Sequence, residues 1–240
     1  MKKRMFLFLV AWLALATSIV AQPPRFMSEE ESPDPLVFLP APPDVGDKLF
    51  INDWIQYQWG KSVRDSDQGR LAYSDAHHAS WYNLCEVFRD QFGLDVTPDG
   101  TPAIYDVMSR STSDAHAVNR RAKNYFQRRR PFAQFNEPSL VPENEDEERD
   151  DYSYPSGHAS RGWIVALVLA EINPEATAAI FERAIVYGQG RVICGYHYQS
   201  DVDASRLVAI STFAALHGNA EYLEAMAKAK AEFQRLSKKK

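Results

Sequence analysis

From Leu49 onward, apolar residues in this chain recur at three- and four-residue spacings, and no long stretch alternates apolar with polar. That repeat has the period of a helix rather than a strand. The main body, residues 48–240, is therefore expected to be all-α, a single helical-bundle domain. The spacing predicts helices over about 49–65, 68–92, 101–129, 158–172, 175–192, 201–216 and 219–237. Thr97-Pro98-Asp99-Gly100-Thr101-Pro102 reads as a turn, and Pro131 to Pro155 as a long loop. The acidic run from Glu143 to Asp151 in that loop is expected to be solvated and mobile. In the last helix Tyr222, Met226, Ala229, Phe233 and Leu236 share one face, and Glu224 stands four residues before Lys228. Such a face docks on the core or on a second subunit, which leaves a homo-oligomer open.

The N-terminus begins Met1-Lys2-Lys3-Arg4, continues as an apolar run from Met5 to about Ala16, and ends in small residues as far as Ala21. This is the order of a secretory signal peptide over residues 1–21. The run falls short of the roughly 20 apolar residues that a membrane span requires. A periplasmic or secreted protein with no membrane span after cleavage is expected. Residues 22–47 hold seven of the chain's 14 prolines and read as an extended arm or linker.

Cleavage removes Lys2, Lys3 and Arg4 and no acid, so the net charge of -5 becomes -8. A body so acidic is a poor partner for nucleic acid, and no nucleic-acid binding is expected. An exported protein meets oxidising conditions, which would allow Cys85 and Cys194 to pair, but their positions favour unbridged thiols. No CxxC or HExxH spacing occurs, and His77, His78, His116 and His217 lack the paired spacing of ligands. These four are read as surface or packed histidines, and no metal or other cofactor is expected.

Against this background three segments stand out. Lys123 and Arg130 are seven residues apart, nearly two helical turns, which would set an ammonium and a guanidinium along one face. Pro131 then ends the helix. Such a pair suits the oxygens of a phosphoryl group, whereas Arg121, Arg128 and Arg129 beside it are read as surface charge. In Pro155-Ser156-Gly157-His158 a glycine turn leads into a helix whose first amides can face an anion, with His158 placed to protonate a leaving oxygen. The third segment carries Arg191, His197 and Asp201. Ser200 and Asp203 resemble an N-cap pair, which would place Asp201 in the first helical turn. From there its carboxylate could accept a hydrogen bond from one nitrogen of His197, fixing the tautomer and leaving the other nitrogen as a nucleophile.

Taken together, these segments resemble the bacterial class A non-specific acid phosphatases of the type 2 phosphatidic acid phosphatase and vanadium haloperoxidase superfamily. That pattern runs lysine, six residues, Arg-Pro, then Pro-Ser-Gly-His, then Ser-Arg, five residues, histidine, three residues, aspartate. It falls on Lys123, Arg130-Pro131, Pro155 to His158, Arg191, His197 and Asp201, and the likeness extends over about Leu49 to His217. Gly190 stands where the pattern has serine, and Ala159 where threonine is frequent.

The resemblance implies a metal-independent hydrolase of small phosphate monoesters, with phosphotransfer to other alcohols a further capacity. His197 would form a phosphohistidine, Asp201 would orient it, and His158 would be acid and then base. Lys123, Arg130, Ser156, Gly157 and Arg191 would bind phosphate. The same motifs also serve vanadium-dependent haloperoxidases, and a non-catalytic phosphate-binding protein is the third alternative.

Overall fold

The computed structural model describes residues 23–80 and 83–238, so the expected signal peptide lies outside the described residues. Among them every regular element is a helix, in keeping with the all-α expectation.

The proline-rich arm is extended, but it is no free linker. Phe26 and Met27 are buried, and their amides donate to the Asp114 carboxylate at 3.0 and 3.2 Å. Further along, Asp34 caps a single turn, α1 (Pro35–Phe38), and the Tyr154 hydroxyl donates to the Pro40 carbonyl at 2.6 Å. Proline forbids a long helix here, but it does not stop buried aromatics and backbone hydrogen bonds from fastening the segment.

Helices α2 (Phe50–Ser62) and α3 (Asp67–Ala76) follow, the latter capped by Ser66. The expected helix over 68–92 breaks after Ala76. The His77 and His78 Nδ1 atoms bond the carbonyls of Tyr73 and Ser74, and Asn83 donates to the His77 carbonyl. Side chains that satisfy the backbone locally compete with helix propagation. A 3₁₀ turn, Leu84–Phe88, and the short α4 (Arg89–Phe92) complete the region.

Proline at the first position opens α5 (Pro102–Phe126), the longest helix. Within the expected 131–155 loop lie α6 (Pro131–Phe135) and α7 (Glu145–Glu148). Next come α8 (Gly157–Ile172), α9 (Thr177–Cys194), α10 (Gln199–Leu216) and α11 (Ala220–Ser237). Gly195, at φ +81°, makes the left-handed turn that ends α9.

Helix α8 is the axis of the bundle. Ile164, Val165, Ala166, Val168 and Leu169 are buried, and α5, α9 and α10 pack around it. An apolar helix with so little polar surface can be stable only in this enclosed position. Through Tyr222, Met226 and Ala229, α11 docks on α5, so its apolar face serves the core. The Glu224–Lys228 pair closes at 2.7 Å on its outer side. Both cysteines are buried and unbridged, and the Cys194 thiol donates to the Ala72 carbonyl at 3.5 Å. No described helix is long and apolar enough to cross a membrane.

Close approach of α8 and α9 depends on Gly162, because a Cβ there would lie 2.5 Å from the Tyr187 ring. That ring stacks near His158 and donates its hydroxyl to the His78 carbonyl. Gly162→Ala is therefore expected to cost about 1–3 kcal/mol through overpacking, readable as a lowered urea midpoint at unchanged slope.

Candidate active site

The open end of α8 faces a cleft of about 170 Å³ whose walls include Lys123, Arg130, Gly157, His158 and His197. Each arrives by a different local device. Helix α5 presents His116, Asn119, Arg120 and Lys123 at successive turns of one face. The helix does not run on to Arg130. It ends at Phe126, because Gln127 turns left-handed at φ +49°, and Arg130 occupies the extended position before α6. The two cations nevertheless converge, since the Asp151 Oδ2 accepts from Lys123 at 2.5 Å and from Arg130 at 2.8 Å.

Ser156 caps α8, its Oγ accepting the Ala159 amide at 3.3 Å, so the helix starts at Gly157, one residue before the expected 158. The preceding amides, of Gly157 and His158, have no intrahelical acceptor and lie where the helix dipole favours an anion. Ser156 thus shapes the cradle from behind and is not itself in the wall.

The imidazole of His197 is almost fully buried, at 2% exposure, and both of its nitrogens are engaged. Nδ1 lies 2.8 Å from the Ser153 carbonyl, which can only accept, so the proton sits there and Nε2 carries the lone pair. Arg130 Nη1 donates to that Nε2 at 3.0 Å. Burial, then the charges of Arg130, Arg191 and Lys123, hold His197 well below the usual histidine value. The imidazole is thereby kept neutral.

Asp201 is not the direct partner of His197 that its spacing suggested. Its Oδ2 is 3.5 Å from Nδ1 and accepts the Tyr198 amide at 2.8 Å, while its Oδ1 accepts from Arg128 at 2.6 Å. Ser200 and Asp203 do not cap the helix either. The Ser200 hydroxyl donates to Asp53 at 2.6 Å, and Asp203 accepts from Gln199. Arg128, read from sequence as surface charge, is half-buried between the buried carboxylates of Asp53 and Asp201 and lies 4.0 Å over the Tyr198 ring. Together Asp53, Arg128 and Asp201 lock the loop that carries His197.

In His158, Nε2 lies 3.2 Å from the Ala76 carbonyl, which leaves Nδ1 as the nitrogen able to exchange a proton with a substrate. Burial, then Arg191 and Arg161, hold this imidazole well below its ordinary value in the empty pocket. Arg191 stands behind both histidines, 3% exposed and 5.0 Å over the Tyr196 ring, without being a wall residue. Gly190 beside it faces Ala72 of α3, and a Cβ there would meet Ala72 at 3.4 Å. The departure from serine lies at a helix contact, away from the cleft.

The solvated reading of the acidic run holds for Glu143, Asp146, Glu147 and Asp150, which are exposed, and fails for Glu148 and Asp151. Glu148 pairs with Arg130, and Asp151 bridges Arg120, Lys123 and Arg130. Burial opposes ionisation of Asp151, but Lys123, Arg130 and Arg120 outweigh it and bring the carboxyl down to about 2. Lys123 itself falls to about 8 through burial and Arg130. Neither carboxylate was legible as a site residue, because composition cannot say which member of an acidic run folds inward. Asn119, Arg120 and Arg161 were also missed, and His116 was read as a surface or packed histidine. The stripe 116, 119, 120 and 123 was the available signal for the α5 residues.

Two imidazoles, His197 buried and His158 half-buried, face clustered cations at a helix N-terminus, a lining suited to a phosphate anion. Comparison with known proteins agrees. The PAP2 superfamily profile matches residues 111–223. A non-specific acid phosphatase of Providencia stuartii is 40% identical, over 89% of this chain and 86% of its own. One from Salmonella typhimurium is 34% identical over 97% and 93%, and an acid phosphatase of Zymomonas mobilis is 32% identical over 84% and 76%. The chain belongs to the PAP2 superfamily and, within it, to the non-specific acid phosphatases.

Proposed function

We propose that the protein is an exported, metal-independent acid phosphatase that hydrolyses small phosphate monoesters through a phosphohistidine. The observation that carries this reading is the tautomer of His197, whose Nδ1–H is committed to Ser153 while Nε2 turns toward the cations of the cleft. Nε2 attacks phosphorus, the ester P–O bond breaks, and the departing oxygen takes a proton from Nδ1 of His158. Water then attacks the phosphohistidine and gives a proton to His158, releasing phosphate and regenerating His197. Lys123, Arg130, Arg191 and the Gly157 and His158 amides stabilise the charge on the equatorial oxygens. Export rests on the basic, apolar and small-residue order of residues 1–21.

Assay of the purified protein with a chromogenic phosphate ester in chelator tests the reading, alongside vanadate with peroxide and bromide. Turnover in chelator with no bromination supports it. Recovery only on adding zinc or magnesium overturns the metal-free assignment, and bromination favours haloperoxidase chemistry. Vanadate is expected to compete with substrate, because its five-coordinate adduct on His197 mimics the transition state.

Substrate phosphate competes with Asp151 for Lys123 and Arg130, since both cations pair with that carboxylate. Asp151→Asn removes that competing charge and is expected to lower the inhibition constant of inorganic phosphate by about tenfold, or 1.4 kcal/mol. A raised constant would show that Asp151 organises the cations for phosphate instead.

The pH profile follows from the two imidazoles. His197 must be neutral to attack, and its depressed value secures this at mildly acid pH. His158 must carry a proton, and because its value is also depressed, the protonated fraction falls as pH rises. Bound phosphate raises that value and opposes the fall. A bell-shaped profile centred at about pH 5 to 6.5, on the acid side of an ordinary histidine, is expected. A rate that climbs steadily into alkaline pH would sink the two-histidine mechanism.

A further inference from the structure

The charges in the cleft do not balance. Four of its wall residues are Arg120, Lys123, Arg130 and Arg161, and the carboxylates facing them are Glu148 and Asp151. Those two acids are used by Arg120, Lys123 and Arg130, which leaves Arg161 with no carboxylate within ion-pair distance among the described residues. Its Nη1 meets only the Nδ1 of His116, at 3.3 Å, and its Nε is buried with no hydrogen-bond partner. Burial and the neighbouring Arg161, Arg120 and Lys123 bring His116 down to about 4, so that ring is a neutral acceptor and does not offset the guanidinium charge. A second orphan lies beside it. The Oδ1 of Asn119 is buried and unpartnered, and Asn119 is 1% exposed.

These two groups flank Gly157, where a Cβ would come within 3.5 Å of the Arg161 guanidinium and 3.6 Å of the Asn119 Oδ1. Glycine leaves that space open. Arg161 lies three residues after His158 on α8, and its charge acts on that imidazole. It therefore sits on the side where the leaving oxygen receives its proton. Phosphate placed on Lys123 and Arg130 would replace Asp151 and leave Arg161 still unmatched. A half-buried guanidinium whose Nε is buried without a partner is costly unless a ligand supplies an anion.

We infer that Arg161, with Asn119, forms a leaving-group subsite that selects phosphate esters whose alcohol carries its own anionic group. A carboxylate near the ester is held by Arg161, and a hydroxyl on the intervening carbon donates to the Asn119 Oδ1. The inference rests on the phosphomonoesterase reading and names the substrate class it prefers.

The test compares 3-phosphoglycerate with glycerol 3-phosphate, which present a carboxylate and a hydroxymethyl group at the same place. In the wild type, kcat/KM is expected to favour 3-phosphoglycerate by about tenfold or more. Arg161→Gln is expected to erase that preference, the excess loss on 3-phosphoglycerate falling on KM, while any change made through the His158 imidazole is common to both esters. Arg161→Lys, which keeps the charge but not the planar fork, should retain part of it. Equal losses on both esters would place Arg161 on the transferred phosphoryl group and overturn the inference, as would a wild type with no preference. Calorimetric titration of both esters into His197→Ala reads the same preference without turnover. Inactivity of the wild type on both esters would defeat the phosphatase reading alone, whereas equal affinities in that titration would defeat the subsite.

Discussion

His197→Ala is expected to lower turnover by about 10⁴-fold or more, the scale on which removal of a covalent nucleophile acts. No other described group takes its place: the imidazole is buried among Ser153, Arg130 and Asp201, and its Nε2 is the lone pair at the cation cluster. Three readouts together make the case. The rate should fall, and brief incubation with labelled substrate followed by quenching should trap an acid-labile, base-stable phosphoryl label on the wild type and none on the variant. Phosphate should still protect the variant against thermal unfolding, because Lys123, Arg130 and Arg191 remain. A variant that keeps its label would move the nucleophile elsewhere.

His158→Ala should show the second-largest effect, and one that depends on the substrate. Alkyl phosphates leave as strongly basic alkoxides and need a proton in the transition state, so their rate should fall by about 10²–10⁴-fold. Nitrophenyl phosphate, whose leaving group is a weak base, should lose far less. His158→Gln can preserve the contact to the Ala76 carbonyl while removing the proton carrier, which separates chemistry from packing against Tyr187. Plotted against leaving-group pKa, log rate should steepen in both variants relative to the wild type. Parallel lines would remove His158 from the acid role.

Much of this was legible in the chain because the chemistry is carried by residues close in sequence. The turn at Ser156 and Gly157 places His158 on the first turn of α8 with no help from afar. His197 and Asp201 are likewise brought near each other by the loop and first turn of α10. Helical periodicity was equally local, so α5, α8, α9, α10 and α11 were expected close to where they occur. Periodicity was blind where side chains cap the backbone, as at Asn83 after α3, and where a left-handed residue such as Gln127 stops α5. It also could not say that the arm's Phe26 and Met27 would be held by Asp114, 88 and 87 residues away.

The sequence by itself determined the all-α class, the helical scaffold, and the cation and histidine inventory of a phosphoryl-transfer pocket, because each rests on short spacings and residue chemistry. Only the tertiary structure decided which neighbours tune that inventory. The Ser153 carbonyl sets the His197 tautomer, and Arg128 with Asp53 anchors Asp201. Glu148 and Asp151 enter the cleft, while Arg161 is left unmatched within it. These are contacts between residues 18 (Arg130 to Glu148, 148 − 130) to 75 positions apart, or else the absence of one. Side-chain pairing across such separations depends on how helices pack around α8, and no local pattern in the chain encodes it.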